Sequence, residues 1–133
     1  MRLTEIEQIG SNYVDRLEAA GLDSVEEFLS ICRTPAGRTE LSRRTGISEG
    51  LLLSWAQRAE LANVEELSEE FADLMEAAGV GGVAQLAGYS PKELRSLLER
   101  TNELRQIVRE LPDLGQVARW VMAAKEMTDT IEK

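Results

Sequence analysis

The chain has no histidine among its 133 residues and one cysteine, Cys32. Without histidine it lacks the usual general base near neutral pH, the commonest zinc ligand and the Ser-His and Cys-His nucleophile pairs. A lone cysteine excludes an internal disulfide and suits a reducing compartment. Aromatic residues are 5% of the chain, and no segment alternates apolar and polar residues with a period of two, so strands find no support. Long apolar runs are missing too. The longest uncharged stretch, 77–91, is short and glycine-rich, and the opening MRLTEIEQIG holds no apolar core of a signal peptide. There is no G-x-x-x-x-G-K-S/T loop, and GVGG at Gly79 lacks the lysine. No acidic loop with a central glycine offers a calcium site. The expectation is a cytoplasmic protein without cofactor, metal or membrane partner.

What remains is rich in alanine, leucine and glutamate, which favours helix. Twenty-four acidic residues against fifteen basic ones leave a net charge of −9. That balance repels nucleic acid unless a local basic patch overrides it. Helix starts are legible from capping chemistry. Ser11 is placed to cap a helix through Tyr13 and Leu17 that Gly21 stops. Ser24 with Glu27, Ser90 with Glu93, and Asp113 with Gln116 have capping-box spacing. Thr34-Pro35 and Ser90-Pro91 combine a cap with a first-turn proline, Gly46 ends the helix that begins at Pro35, and Ser48 opens the next. The fold class predicted is all-α.

The helices come in two sets. IEQIGSNYVDRLEAAGL from Ile6 and VEELSEEFADLMEAAGV from Val64 align without a gap, 58 residues apart. Ile6, Ile9, Tyr13 and Leu17 answer to Val64, Leu67, Phe71 and Met75, and EAAG recurs verbatim. Val25 and Leu29 match Val83 and Ala87, "TP" becomes "SP", and the halves close on Trp55 and Trp120. The reading is two duplicated halves, 1–62 and 63–133, packed as one compact domain in which each buries a face the other cannot. The second half carries extra residues around TNELRQIVRE.

A short helix, a tight turn of the form h-x-G and a second helix resemble the helix-hairpin-helix motif. That resemblance implies hairpin amides and a helix N-terminus able to hold a DNA phosphate. Across nearly its whole length, through IEQIGSNYVDRLEAAGLDSVEEFL, TPAGRTELSRRTGIS, SWAQRAEL, EEFADLMEAAGV and ELPDLGQVARWV, the chain also resembles the bacterial and archaeal domain-of-unknown-function family 4332. This resemblance implies a helix-hairpin-helix type fold and says little of activity. The motif is only half kept. The first turn reads Gln8-Ile9-Gly10 and the second Glu66-Leu67-Ser68, followed by Glu69 and Glu70. From Glu60 to Gly79 there are seven acidic residues and no basic one, which sets the second turn against phosphate. The first, with Gly10 and Ser11, stays open.

A competing feature is LSRRTGISEGLLLSW, which resembles a helix-turn-helix corner. Arg33, Arg38, Arg43 and Arg44 against Glu40 make a local charge of +3. Bound to DNA, the helix from Ser48 would enter the groove with Ser48, Glu49, Gly50, Leu53, Ser54 and Gln57 outward and Arg58 beside them. Leu51, Leu52 and Leu53 exceed the need of one helix face, which marks Leu51 and Leu53 as a candidate partner surface. Paired glutamates at 26/27, 65/66 and 69/70 read as solvated faces. Cys32 reads as core, with Arg33 beside it able to lower its pKa. Lys92, Arg95, Arg100, Arg105 and Arg109 alternate with Glu93, Glu99, Glu103 and Glu110, the pattern of an exposed face laced with ion pairs or of a docking face, with the solvated face as the default.

The function expected is non-catalytic: a helical interaction or adaptor module that binds another protein or itself. The alternative is DNA binding through Gly10, Ser11 and the arginine patch, disfavoured by the charge of −9.

Overall fold

The computed structural model describes Leu3, residues 9–127 and residues 130–132; Ile6 and Gln8 of the repeat lie outside the described residues. Among these residues the chain is all-helical and has no strand. Eight helices follow in order: α1 Ser11–Ala19, α2 Val25–Cys32, α3 Pro35–Thr45, α4 Glu49–Leu61, α5 Glu69–Ala77, α6 Val83–Ala87, α7 Pro91–Arg105 and α8 Leu114–Glu126. The chain divides into two compact units, Met1–Ala59 with Ile131–Lys133 and Glu60–Thr130. The division therefore falls within α4.

In the first unit, Leu17, Phe28, Cys32, Leu41 and Leu52 are wholly shielded from solvent and form one apolar cluster with Val14, Leu22, Ile47 and Trp55. α1 contributes Val14 and Leu17, while Tyr13 lies half-buried with its ring centroid 5.1 Å from that of Trp55, tilted by 59°. Such a tilted pair is worth about 0.5–1.5 kcal/mol beyond the area it buries. α2 packs on α3, and the carbonyl of Arg33, just past α2, accepts the N–H of Glu132 at 2.8 Å. Ile131 is buried in the same cluster.

The second unit has its own cluster, in which Leu74, Met75, Val80, Val83, Leu86, Leu94, Val117 and Trp120 are fully buried. α8 packs on α6 and α7, and α5 on α7. Phe71 meets Trp120 with ring centroids 5.2 Å apart and a tilt of 53°. Tyr13 and Phe71 are the aligned residues of the two sequence stretches. Trp55 and Trp120 each stand seventh in a 13-residue helix.

The repeated EAAG ends α1 and α5 in the same way. Leu22 N–H reaches the carbonyl of Leu17 at 3.1 Å and Gly21 N–H that of Glu18 at 2.9 Å. Val80 reaches Met75 at 2.9 Å and Gly79 reaches Glu76 at 3.1 Å. This is the Schellman arrangement, in which a left-handed residue after the helix lets two orphan carbonyls find donors. Gly21 and Gly79 supply it, with φ of 94° and 86°. The accompanying apolar contact is present as well, since Leu17, Leu22, Met75 and Val80 are all buried.

Helix starts follow the capping chemistry with one correction. Ser24, Thr34, Ser90 and Asp113 each accept a backbone N–H of the first turn, and Asp113 with Gln116 forms the full reciprocal box. Ser11 does not cap α1: it is the first helical residue, and Gly10 holds the cap position without a side-chain bond. Where α3 begins, Gly37 is required for a different reason. A Cβ there would lie 1.8 Å from the Ile31 carbonyl oxygen, because the first turn of α3 crosses directly under the last turn of α2. The extra residues of the second half form the last turn of α7 and the bend between α7 and α8. Asn102 holds it by accepting the N–H groups of Ile107 and Val108 at 2.8 and 3.0 Å and donating to the Val108 carbonyl at 3.0 Å.

Chemical denaturation checks this account of the glycines. Gly37→Ala should cost about 3 kcal/mol or more through backbone collision. Gly21→Ala and Gly79→Ala should each cost about 1–2 kcal/mol through left-handed strain. Gly10→Ser, at φ −71° with open space around its Cα, should stabilise by about 0.5 kcal/mol by supplying the missing cap.

Candidate functional site

The two aligned stretches, around Gly10 and around Ser68, differ in what fills them. At the first, Ile9 is buried and Gly10 exposed, and the Gly10 carbonyl accepts the N–H groups of Tyr13 and Val14, both at 3.0 Å. With φ at −71°, Gly10 is not needed for its backbone conformation. Ser11 is exposed beside it. At the second, Glu66 adopts the left-handed conformation, with φ of 67°. Its carboxylate accepts the Arg119 Nε–H at 2.7 Å, and this hydrogen bond raises the Arg119 pKa. Ser68 then caps α5 by accepting the Phe71 N–H at 3.3 Å, with Glu69 and Glu70 in the first turn. The second turn is thus occupied by its own side chains.

The arginines of the basic patch have separate tasks. Arg38 is not on the surface: it is 4% exposed, and its guanidinium donates to the carbonyl of Cys32 at 2.7 Å and that of Arg33 at 3.4 Å. It satisfies orphan carbonyls at the end of α2 while its aliphatic stem packs in the interior, a role the spacing of charges does not reveal. Arg44 donates to the Ala20 carbonyl, the cap residue of α1, and so ties α3 to that helix end. Arg43, exposed like Arg44, pairs with Glu40. Arg33 is exposed and Arg58 is buried. The expected outward face of α4 also needs correction. Every residue from Trp55 to Leu61 is buried, Gln57 included, so the helix has no solvent face there. Of the three leucines, Leu52 is fully buried, Leu53 packs half-buried on the core, and Leu51 is exposed.

Cys32 lies in the core, and burial pushes its thiol up to about 12 against a smaller opposing pull from Arg38. The cation that matters is Arg38, not the neighbouring Arg33, and its effect does not prevail. Glu60 is a site residue that charge counting misplaced. It is 4% exposed, and its carboxylate accepts the Val83 N–H at 3.2 Å at the start of α6. A buried acid preceding a five-residue helix is not marked in sequence, because the two lie 23 residues apart. The C-terminal charges are laced less than their alternation suggests. Arg95 bridges to Glu99 at 2.6 Å and reaches the Pro112 carbonyl at 2.8 Å. Among the described residues, Lys92 and Arg100 have no such partner.

Among its described residues the chain is an all-helical domain and has no group of three or more His, Cys, Asp or Glu side chains placed to hold a metal ion. The chain belongs to the family described as Domain of unknown function (DUF4332), which it matches over residues 7–127. No curated protein and no solved structure matches it. No helix among the described residues is long and apolar enough to cross a membrane.

Two measurements test these assignments. Arg38→Ala should destabilise by about 2–4 kcal/mol, leaving buried carbonyls without a donor, whereas Arg43→Ala at an exposed pair should change stability by less than about 0.5 kcal/mol. With its thiol raised to about 12, Cys32 should be about 10⁻⁴ thiolate at pH 8 and should label with iodoacetamide only when the protein is unfolded.

Proposed function

We propose that this protein is a non-catalytic interaction module built from two helix-hairpin-helix-like halves, and that it binds another protein or a second copy of itself. The matched helix stops, the equivalent aromatic pairs and the equal tryptophan helices support descent from a duplicated unit. In this reading the second hairpin keeps its turn for packing, with Glu66 and Ser68 in place of the motif's glycines.

The observation that carries the binding role is a second apolar stripe on α8. That helix buries Val117, Trp120, Val121 and Ala124 in its own unit. On its outer flank, Leu114, Ala118 and Met122 follow at four-residue spacing, with Leu114 44% and Met122 62% exposed. A helix that has already buried one face has no folding reason for a second, whereas a docking surface has. Leu51 is a further exposed leucine.

The alternative, DNA binding, retains one supporting feature: α1 begins without a side-chain cap, at an exposed Gly10 with open space around it. Against it stand the burial of Arg38 and Arg58 and the bonds of Arg43 and Arg44. Anisotropy of a labelled duplex and a single strand at about 50 and 150 mM salt separates the readings, because counterion release makes phosphate binding fall steeply with salt. A flat trace is expected. Salt-sensitive binding that an Arg43→Ala/Arg44→Ala variant abolishes would replace the protein-binding reading. A photocrosslinker at position 122 should give discrete adducts in cells, and one at position 110 should not; equal yields would count against the α8 stripe.

A further inference from the structure

The outer face of α7 carries an open groove of about 490 Å³ lined by Tyr89, Lys92, Glu93, Ser96, Leu97 and Arg100. Lys92, Ser96 and Arg100 follow at four-residue spacing, which sets the two cations about 12 Å apart along the helix axis. Tyr89 and Leu97 are half-buried and give the groove apolar walls. Glu93 is held at the N-terminal end, where its carboxylate accepts the Ser90 hydroxyl at 2.9 Å and its N–H donates to Ser90 Oγ at 3.2 Å. The groove therefore presents two unpartnered cations, a hydroxyl between them and an apolar floor.

Nothing equivalent stands on α3. Counting from Pro35 and Pro91, the positions of Lys92, Ser96 and Arg100 hold Ala36, Glu40 and Arg44, and Arg44 is bonded to the Ala20 carbonyl. α7 also runs to 15 residues against 11 for α3. Its added turn carries Leu104, 85% exposed one turn beyond Arg100, with Glu103 beside it. The packing of α3 shows that a helix at this position does not need that turn.

We propose that this groove binds an acidic segment of another protein, one that sets a carboxylate against each of Lys92 and Arg100 and an apolar side chain against Tyr89 and Leu97, with Leu104 at its far edge. This rests on the interaction-module reading and names its partner's chemistry. Charge favours a short acidic segment over a nucleic acid. Between Glu60 and Thr130 there are fourteen acidic and seven basic residues, a net of −7. A polyphosphate backbone running past the groove meets those carboxylates, whereas a segment that engages two cations does not.

The test is amide chemical-shift mapping of the full chain with a synthetic leucine-glutamate peptide and its leucine-lysine counterpart, with affinities read by anisotropy. The acidic peptide should shift amides between Tyr89 and Leu104 and weaken with added salt. Lys92→Glu/Arg100→Glu, at exposed positions, should weaken it at least tenfold, and Leu104→Ala several-fold. The lysine peptide should not bind. Acidic-peptide shifts confined to α8 or α4 and unchanged in the double variant overturn the groove and leave the interaction module standing. Equal shifts from sodium phosphate alone overturn the acidic segment in favour of a small-anion site. Binding of a duplex with no response to either peptide overturns both readings.

Discussion

Each unit depends on one aromatic contact between its first and last helices: Tyr13 with Trp55, and Phe71 with Trp120. The other helices are too short to be stable alone, at between 5 and 15 residues, so their stability has to come from burying one face. The tryptophan supplies the largest surface for that purpose and the facing ring sets the angle. Leu17, Leu41 and Leu52 in one cluster, and Met75, Leu94 and Val117 in the other, fill the space around it. The Schellman stops then turn the chain at the point where α1 and α5 leave that contact.

The same constraint explains where charge is buried. Closing α3 against α2 leaves the carbonyls of Cys32 and Arg33 without helical partners, and Arg38 reaches them from within. At the corresponding place in the second unit α6 ends at Ala87, and Leu94 takes the interior position. Glu60 does for the start of α6 what Ser24 does for the start of α2, from a distance instead of from the adjacent residue. Two units of similar helix order thus meet the same backbone requirement with different side chains. Their surfaces have diverged further: the positions of Lys92 and Ser96 on α7 hold Ala36 and Glu40 on α3.

Much of the fold was legible in the chain. Cap residues placed the starts of α2, α3, α4, α7 and α8, and the recurrence of EAAG marked two helix ends whose hydrogen bonds agree closely. The candidate site was legible only in outline. The +3 of the arginine patch is correct as a count and misleading as a surface at Arg38, which is buried while Arg33, Arg43 and Arg44 are exposed. Gln57, expected outward, lies in the covered part of α4, and the alternating charges of α7 concealed that Lys92, Arg100 and Arg105 have no partner among the described residues.

The division has a physical reason. Caps, Schellman stops and first-turn prolines act over three to six residues, so the sequence by itself determined the all-α class and where five of the eight helices among the described residues begin. Which face of a helix meets solvent depends on side chains far along the chain. Only the tertiary structure decided that Arg38 and Glu60 are interior, that Glu66 is drawn to Arg119 across 53 residues, and that Lys92 and Arg100 are exposed without a partner among the described residues.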